Sequence, residues 1–249
     1  IFMLYTKTYQ RNIMRSISPV DIEGIYKDYI DEKQEKNRLD RYEGNENWYH
    51  ASGSGSCSRK LYFESVEKAE PSNPIDSKTK RLLRLGNVMH NDIQDSLTRV
   101  RTNISTNYST NNSNKDTEKE NKNKEKEIEF DVEGEIKIKE LNVRGFYDIV
   151  AKDKVSFEQQ KVYLYDIKTC GGWSWKMKFG RNKQMNPSIH YELQLGTYGY
   201  AVREMFGQLD GMFLYYYNKD NSDMRAVEVP LTFVSRAYLF WLSLIHISE

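Results

Sequence analysis

The fold is decided by one short stretch, residues 162–169, which reads VYLYDIKT. Its β-branched and aromatic residues favour a strand, and side chains two apart on a strand project from one face. Asp166 and Lys168 therefore extend the apolar row that Val162 begins. A charge in such a row is expensive unless it is paired or binds a metal, so the stretch is either a strand-end ion pair or part of a functional site.

Helical and strand patterns alternate on both sides of this stretch. Thr79–Arg101 places apolar residues at steps of three and four, which predicts an amphipathic helix that Ser77 can cap. Its apolar stripe consists of Leu82, Leu85, Met89, Ile93 and Leu97. Further strands are predicted at 128–139, 143–151, 211–217 and 226–231, and further helices at 188–206 and near Ser235. This order, a helix, three strands, a helix and two strands, predicts an α/β fold.

Composition divides the chain into segments. Residues 1–50 are predicted to be an N-terminal helical region, with its helix at Pro19–Leu39. Residues 51–241 are predicted to be a single domain, interrupted at 103–127 by a polar segment whose charges cancel. That segment has too few apolar side chains to offset the entropy of ordering, so it is predicted to be disordered. Residues 242–249 resemble a translated sequencing adapter and are predicted to be a non-native tail.

Composition and charge exclude several classes of protein. The chain has 37 Lys and Arg against 36 Asp and Glu, so any nucleic-acid affinity has to come from local basic patches. The sequence contains no apolar stretch long enough to span a bilayer and no secretory signal, which predicts a cytoplasmic protein without a membrane partner. Cys57 and Cys170 are the only cysteines, too few for a disulfide framework or a four-thiolate metal site.

A second acidic residue lies within an apolar strand. Asp148 occurs in the sequence GFYDIV, and a neighbouring strand can bring it beside Asp166. Two carboxylates at that distance repel each other, and a bridging divalent cation such as Mg²⁺ or Mn²⁺ makes the pair tolerable. The alternative is an Asp near a turn that caps backbone amides.

Two predicted helices carry polar residues at or beside their apolar faces. His90 lies at the edge of the stripe, four residues after Gly86, and a lone helical His is usually structural. Gly86 indicates that another backbone approaches closely there. Gln194 and Tyr198 share the buried face of the later helix, and a buried amide needs polar partners, so this pair is a candidate for contacting a ligand, water or phosphate.

A basic and aromatic segment follows the central strand. Between Lys161 and Met185 six cations stand against the single acid Asp166, with tryptophans interleaved. Cations bind phosphates and aromatic faces stack on unpaired bases, which predicts a nucleic-acid interface. The alternative is an exposed loop whose tryptophans pack on the core. The candidate contact residues are Trp173, Trp175, Lys176, Lys178, Arg181 and Lys183.

In chain order these residues give the pattern G-x-x-x-H, G-x-x-D, D-x-K and Q-x-x-x-Y. The ordered set resembles the PD-(D/E)XK nuclease superfamily, in its RecB-like and CRISPR-associated exonuclease branch, over roughly residues 50–235 apart from the insert. The resemblance implies a central mixed β-sheet flanked by helices, the restriction-endonuclease-like core. It also implies metal-dependent exonucleolytic hydrolysis of DNA in recombination, repair or phage DNA processing.

The resemblance also implies roles for individual residues. His90, Asp148 and Asp166 would hold a divalent cation, Mg²⁺ or Mn²⁺. Lys168 would orient or deprotonate the attacking water. The segment around Cys57 is similar to the first-cysteine segment of relatives with an iron–sulfur cluster, but the other three cysteines of that pattern are missing, so no cluster is expected on the cysteines present.

DNA is the expected partner, and a separate helicase or recombination protein is a candidate second partner. A catalytically silent nucleic-acid-binding or recruiting subunit with the same fold is the competing hypothesis.

Overall fold

The structure, a computed structural model, describes residues 20–42, 47–69, 72–103, 127–154, 160–181 and 188–248. The chain divides into two compact units, Ile1–Gly44 and Asn45–Glu249. The first unit contains helix α1, Ile22–Tyr42, where the sequence predicts a helix. The boundary falls before the predicted one at residue 50, because Tyr49–His50 pairs with a strand of the second unit.

Among the described residues, six strands form one mixed sheet. Its order is β1-β3-β4-β5-β6, and β2 also pairs with β3. The β1–β3 and β4–β5 pairs are parallel and the other pairs are antiparallel. The predicted α/β fold with a central mixed sheet is therefore confirmed. The strands are β1 (Tyr49–His50), β2 (Glu127–Ile138), β3 (Val143–Lys154), β4 (Gln160–Cys170), β5 (Gly211–Asn218) and β6 (Met224–Val229).

Two strands share one edge of β3. Strand β2 pairs along β3 from Val143 to Lys154, interrupted only at Asp148, and so occupies the other edge. The shared edge pairs with β1 at Val143 and Arg144 and with β4 from Ile149 onwards. Within the described part of the chain, residues 145–148 have no strand partner on this edge. We call this interval the β3 gap, and polar side chains can enter the sheet there.

Helices pack against this sheet. Helix α5 packs against β4, β5 and α6, and together they enclose the apolar core, whose fully buried side chains include Leu164, Met212, Leu214 and Trp241. Helix α3 contacts β2, β3 and β4. None of the helices in the described ranges is long and apolar enough to cross a membrane. The helices of the second unit are α2 (Ser58–Ser65), α3 (Ser77–Asn103), α4 (Gly172–Phe179), α5 (Ile189–Phe206) and α6 (Thr232–Ser248).

The start of α3 differs from the sequence prediction. Asp76 caps the helix instead of Ser77, since its carboxylate accepts the backbone N–H groups of Lys78 and Thr79 at 2.9 and 3.0 Å. Aspartate is among the best N-cap residues because its side chain satisfies amides that have no helical partner.

The predicted apolar stripe of α3 is wrong at its N-terminal end. Leu82 and Leu85 are exposed, whereas Gly86 and Gln94 are buried. The face of α3 turned to the sheet is set by Gly86, His90 and Gln94, spaced four residues apart. This face meets a polar part of the sheet, so hydrophobicity does not identify it.

Two predicted segments lie at the margins of the described residues. Helix α3 extends to Asn103 and β2 begins at Glu127, so most of the predicted disordered insert, 104–126, lies outside the described residues. At the other end α6 continues to Ser248, and Leu244 is buried. Helical structure does not test the origin of residues 242–249, which stays a prediction.

Candidate functional site

Asp148 occupies the end of the β3 gap. Backbone pairing between β3 and β4 stops at Ile149 and Tyr165. The Asp148 carboxylate then takes over as acceptor, because the Ile167 N–H donates to its Oδ2 at 2.6 Å. The alternative interpretation from sequence, an Asp that caps backbone amides, is thus part of the observed geometry, and it places the carboxylate next to the Asp166–Lys168 segment.

Asp166 is buried beside this junction, with 1% of its surface exposed. Lys168 Nζ lies 2.6 Å from its Oδ2, so the carboxylate is held in a short ion pair. Burial raises the pKa of the Asp166 carboxyl to about 6, against the opposing effect of Lys168 and with a further rise from Asp148. Asp166 is therefore a carboxylate whose charge the fold only partly compensates.

Lys168 connects Asp166 to helix α5. Its Nζ donates to Gln194 Oε1 at 3.0 Å, and Gln194 Nε2 donates to the Tyr198 hydroxyl at 3.0 Å. The ammonium also lies 4.8 Å from the centre of the Tyr191 ring. The polar partners of the half-buried Gln194 amide are thus Lys168 and Tyr198, and the network fixes the ammonium beside the carboxylate. The predicted contact of Gln194 and Tyr198 with a ligand, water or phosphate stays a prediction.

His90 reaches the same place from α3. Its Nδ1 lies 3.6 Å from Asp148 Oδ2. Gly86, one turn earlier, permits this approach, because a Cβ there would lie 3.0 Å from Thr169 Oγ1 on β4. The close neighbour is thus a side-chain hydroxyl and not the backbone that the sequence analysis predicts.

Gln94 is a residue that sequence reasoning missed. It is 3% exposed, and its Nε2 donates to the Asp148 carbonyl oxygen at 3.2 Å. The bond attaches α3 to β3 at the gap and holds the backbone of Asp148 in place. Its signal was the spacing of four residues from His90, on the same helical face.

Gly145, at the other end of the β3 gap, allows Ala51 and Tyr198 to pack closely against β3. A Cβ at this position would lie 2.9 Å from Ala51 Cβ and 3.1 Å from Tyr198 Cε1. Ala51 opens the short 3-10 turn Ala51–Gly53, which directly follows β1. The glycine of the G-x-x-D pattern is therefore explained by this close approach.

The predicted metal ligands meet without forming a finished coordination shell. His90 contacts Asp148, and both influence the charge state of Asp166. No group of three or more His, Cys, Asp or Glu side chains in the described ranges is arranged to hold a metal ion. The predicted ligands, an imidazole and two carboxylates, are of the chemical types that bind Mg²⁺ or Mn²⁺, and Asp166 Oδ2 is paired with Lys168 in this structure.

Within the basic segment after β4, residues Gly172–Phe179 form helix α4 and not a loop. Trp173 on α4 is 71% exposed, and Lys176 and Arg181 are exposed as well. Lys178 is only 7% exposed, and its Nζ lies 5.5 Å from the centre of the Tyr216 ring. It is therefore not available on the surface for the phosphate contact predicted from sequence.

The two tryptophans of this segment also differ. Trp175 packs edge-on against Phe179, with ring centroids 4.6 Å apart, and both pack against the core. The alternative interpretation, tryptophans packed on the core, is therefore right for Trp175, whereas Trp173 is left for the surface. Lys183 lies outside the described residues.

Comparisons with known proteins find similarity among solved structures only. No protein-family model matches the chain, and no curated protein does. Among solved structures, the crystal structure of SSO0001 is similar, with a TM-score of 0.49 and 16% sequence identity. The alignment covers 91% of this chain and 88% of that chain.

Proposed function

We propose that this protein is a metal-dependent DNA exonuclease of the PD-(D/E)XK type, with a restriction-endonuclease-like core, acting in recombination, repair or phage DNA processing. One observation carries the proposal: residues distant in sequence meet at the β3 gap in one polar network. Their chemistry, two carboxylates, an imidazole and a lysine, is that of phosphodiester hydrolysis. The residues are His90, Asp148, Asp166, Lys168, Gln194 and Tyr198.

His90, Asp148 and Asp166 would hold the divalent cation. A bound cation at this position supplies charge stabilisation at the phosphate and acidifies water. Asp148 and Asp166 are positioned on adjacent strands by the end of the β3–β4 pairing, so the protein fixes the spacing of these carboxylates before any cation binds.

Lys168 would orient or deprotonate the attacking water. Its ammonium is held by Gln194 at 3.0 Å and by Asp166 at 2.6 Å, which leaves one of its three donors for water or a phosphate oxygen. Gln194 is in turn oriented by Tyr198. Because each partner is buried or half-buried, the lysine keeps one position relative to the carboxylates.

Helix α4 would bind the DNA strand that leads to the site. It begins two residues after β4 ends, and β4 carries Asp166 and Lys168. Lys176 and Arg181 present cations for phosphates, and the exposed Trp173 ring presents a face on which an unpaired base can stack.

A catalytically silent nucleic-acid-binding or recruiting subunit is the second candidate. It is favoured by the Asp166–Lys168 ion pair, in which each charged group already has a partner within the protein. In such a protein the network at the gap would only stabilise the fold, and α4 would still bind DNA.

Cleavage of end-labelled DNA separates the two candidates. Purified protein is incubated with linear single-stranded, linear double-stranded and closed circular DNA, in Mg²⁺, Mn²⁺ or EDTA. We expect metal-dependent shortening of linear DNA from an end and no cleavage of circles. Asp166→Asn should be inactive, and Asp92→Asn, an exposed acid on α3, should be active. DNA binding without cleavage by the wild type would favour the silent subunit.

A further inference from the structure

The hydroxyl of Tyr216 on β5 is a buried polar group without a hydrogen-bond partner. Only 1% of the Tyr216 surface is exposed, and none of the residues that the structure describes forms a hydrogen bond with its hydroxyl. Such a hydroxyl costs free energy, because in water it would be hydrogen-bonded. Phenylalanine would fill this position without that cost, so packing alone does not explain the tyrosine.

Strand pairing places Tyr216 next to the Asp166–Lys168 segment. In the parallel β4–β5 pair, Tyr216 lies opposite Lys168. Side chains at paired positions of neighbouring strands project from the same face, and the strands are about 4.8 Å apart. Lys168 reaches Gln194 on α5 from this face. The Tyr216 side chain therefore lies beside the Lys168 side chain, on the face of the sheet that carries the site.

Contacts from α4 hold the Tyr216 ring in this position. The Phe179 ring packs edge-on against it, with centroids 5.4 Å apart, and Lys178 Nζ lies 5.5 Å from its centre. These contacts are made by the ring and leave the hydroxyl without a partner. The hydroxyl is thus fixed beside Lys168 before any substrate binds.

The hydroxyl and the Lys168 ammonium offer complementary hydrogen bonds to a water. The ammonium can donate three hydrogen bonds, and Asp166 and Gln194 accept two of them. An ammonium only donates, so it binds a lone pair of a water and neither of its hydrogens. A tyrosine hydroxyl can also accept. Burial raises the pKa of the Tyr216 hydroxyl, which therefore stays neutral.

We propose that the Tyr216 hydroxyl is a further catalytic group, which accepts a hydrogen bond from the attacking water that Lys168 holds. The inference rests on the proposed nuclease function. With one lone pair bound by Lys168 and one hydrogen bound by Tyr216, the water keeps few orientations, and its second lone pair can face the phosphorus. Tyr216 orients the water and neither takes nor gives a proton. The Tyr191 ring, 4.8 Å from Lys168 Nζ, is 36% exposed and can turn aside to admit the water.

Removal of the hydroxyl alone tests this role. Tyr216→Phe keeps the buried ring. Tyr217→Phe is the matched control, because Tyr217 is the next residue on β5, projects from the opposite face and has its hydroxyl 2.9 Å from Ser222 Oγ. Full-length variants are melted in EDTA, titrated with DNA in EDTA and assayed for single-turnover cleavage at saturating DNA. The set includes Lys168→Gln and the double variant Lys168→Gln/Tyr216→Phe.

We expect Tyr216→Phe to cleave roughly 10-fold or more slowly than the wild type, as for the loss of one preorganised hydrogen bond to a reacting group. Its DNA affinity should stay within about twofold, because the contacts to DNA remain. It should melt no lower than the wild type, since its hydroxyl has no partner to lose. Tyr217→Phe should cleave like the wild type. The double variant should cleave no more slowly than Lys168→Gln, because both groups act on one water.

Other outcomes overturn the inference in distinguishable ways. A wild-type rate for Tyr216→Phe overturns the role of Tyr216 and leaves the nuclease proposal standing. Losses of rate that multiply in the double variant overturn the shared water, and weaker DNA binding with an unchanged rate assigns the hydroxyl to substrate binding instead. A lower melting temperature for Tyr216→Phe shows that the hydroxyl already has a partner in the free protein. A wild-type protein that cleaves no DNA overturns both proposals.

Discussion

Strands β3 and β4 change from buried apolar side chains to carboxylates where their mutual pairing ends. We call the side with Val150 and Leu164 the apolar half and the side with Asp148 and Asp166 the polar half. In the apolar half, Val150 faces Leu164 in the register, and both are fully buried. Asp148 and Asp166 lie two residues further along each strand, toward the gap. Asp166 is buried to nearly the same extent as Leu164. The surroundings differ: the apolar half is paired on both edges, whereas the carboxylates lie where the β3–β4 pairing has ended.

The difference shows how one sheet separates stability from chemistry. Burial of Leu164 removes apolar surface from water and stabilises the fold. Burial of Asp166 costs free energy, since its raised pKa means that the fold disfavours the charged form. Substitutions in the polar half should therefore lower the cleavage rate, whereas substitutions in the apolar half should lower the stability of the fold.

The largest expected effect is on the rate of cleavage. Lys168→Gln removes the ammonium while keeping an amide that can bond to Gln194, so the single-turnover rate should fall by roughly 10²- to 10³-fold, as for loss of one preorganised charge-stabilising donor. DNA affinity measured in EDTA should stay within about twofold, because the other contacts remain. The check is single-turnover cleavage at saturating DNA. A rate like that of the wild type would assign Lys168 to structure alone.

The apolar half should show the reverse behaviour. Leu164→Ala leaves a cavity in a fully buried position and should lower the free energy of unfolding by about 2–5 kcal/mol. Denaturant unfolding measures this loss. Cleavage assayed well below the melting temperature should remain near the wild-type rate, since the carboxylates lie beyond the last β3–β4 pair. A strong loss of activity in the folded variant would mean that the two halves are coupled.

Asp166 should make stability depend on pH. Its folded pKa, about 6, lies above the usual value, so the folded state binds the proton more tightly than the unfolded state. This contribution is fully present below about pH 4 and is lost as the pH rises through about 6, with an upper bound of about 3 kcal/mol. Without metal, the melting temperature of Asp166→Asn should therefore rise relative to wild type from pH 4 to 8. A constant difference would show that Asp166 does not titrate in this range.

The sequence predicts those parts of the site that depend on local pattern. Strand β4 and the Asp166–Lys168 pair follow from a period of two, and the meeting of Gln194 and Tyr198 follows from their spacing on one helix. The β3 gap could not be predicted in this way. It arises because β1, from near residue 50, and β4 take different parts of one edge of β3, and pairing between distant segments leaves no local signature.

The sequence also does not predict which side chains of α4 are buried and which are exposed. Lys176 and Lys178 look alike in a basic segment, yet the helix turns one to solvent and packs the other over Tyr216. Which face is buried depends on the aromatic contacts of Phe179 with Tyr216, whose ring centroids are 5.4 Å apart. The backbone of Glu133 on β2 could not be predicted either. Its φ of 54° lies in the left-handed region, and the residue type alone does not indicate that conformation.

The smallest expected effect distinguishes the two lysines of α4. If Lys176 contacts a phosphate, Lys176→Gln should weaken DNA binding and reduce the slope of log affinity against log salt by about one, because one counterion fewer is released. Lys178→Met preserves the buried stem and should leave that slope unchanged, since the ammonium faces Tyr216 and not solvent. Lys139→Gln, an exposed cation on another element, controls for loss of net charge. Fluorescence anisotropy at several salt concentrations gives the slopes. Equal slopes for Lys176→Gln and Lys139→Gln would place the DNA path away from α4, while the site at the β3 gap would be unaffected.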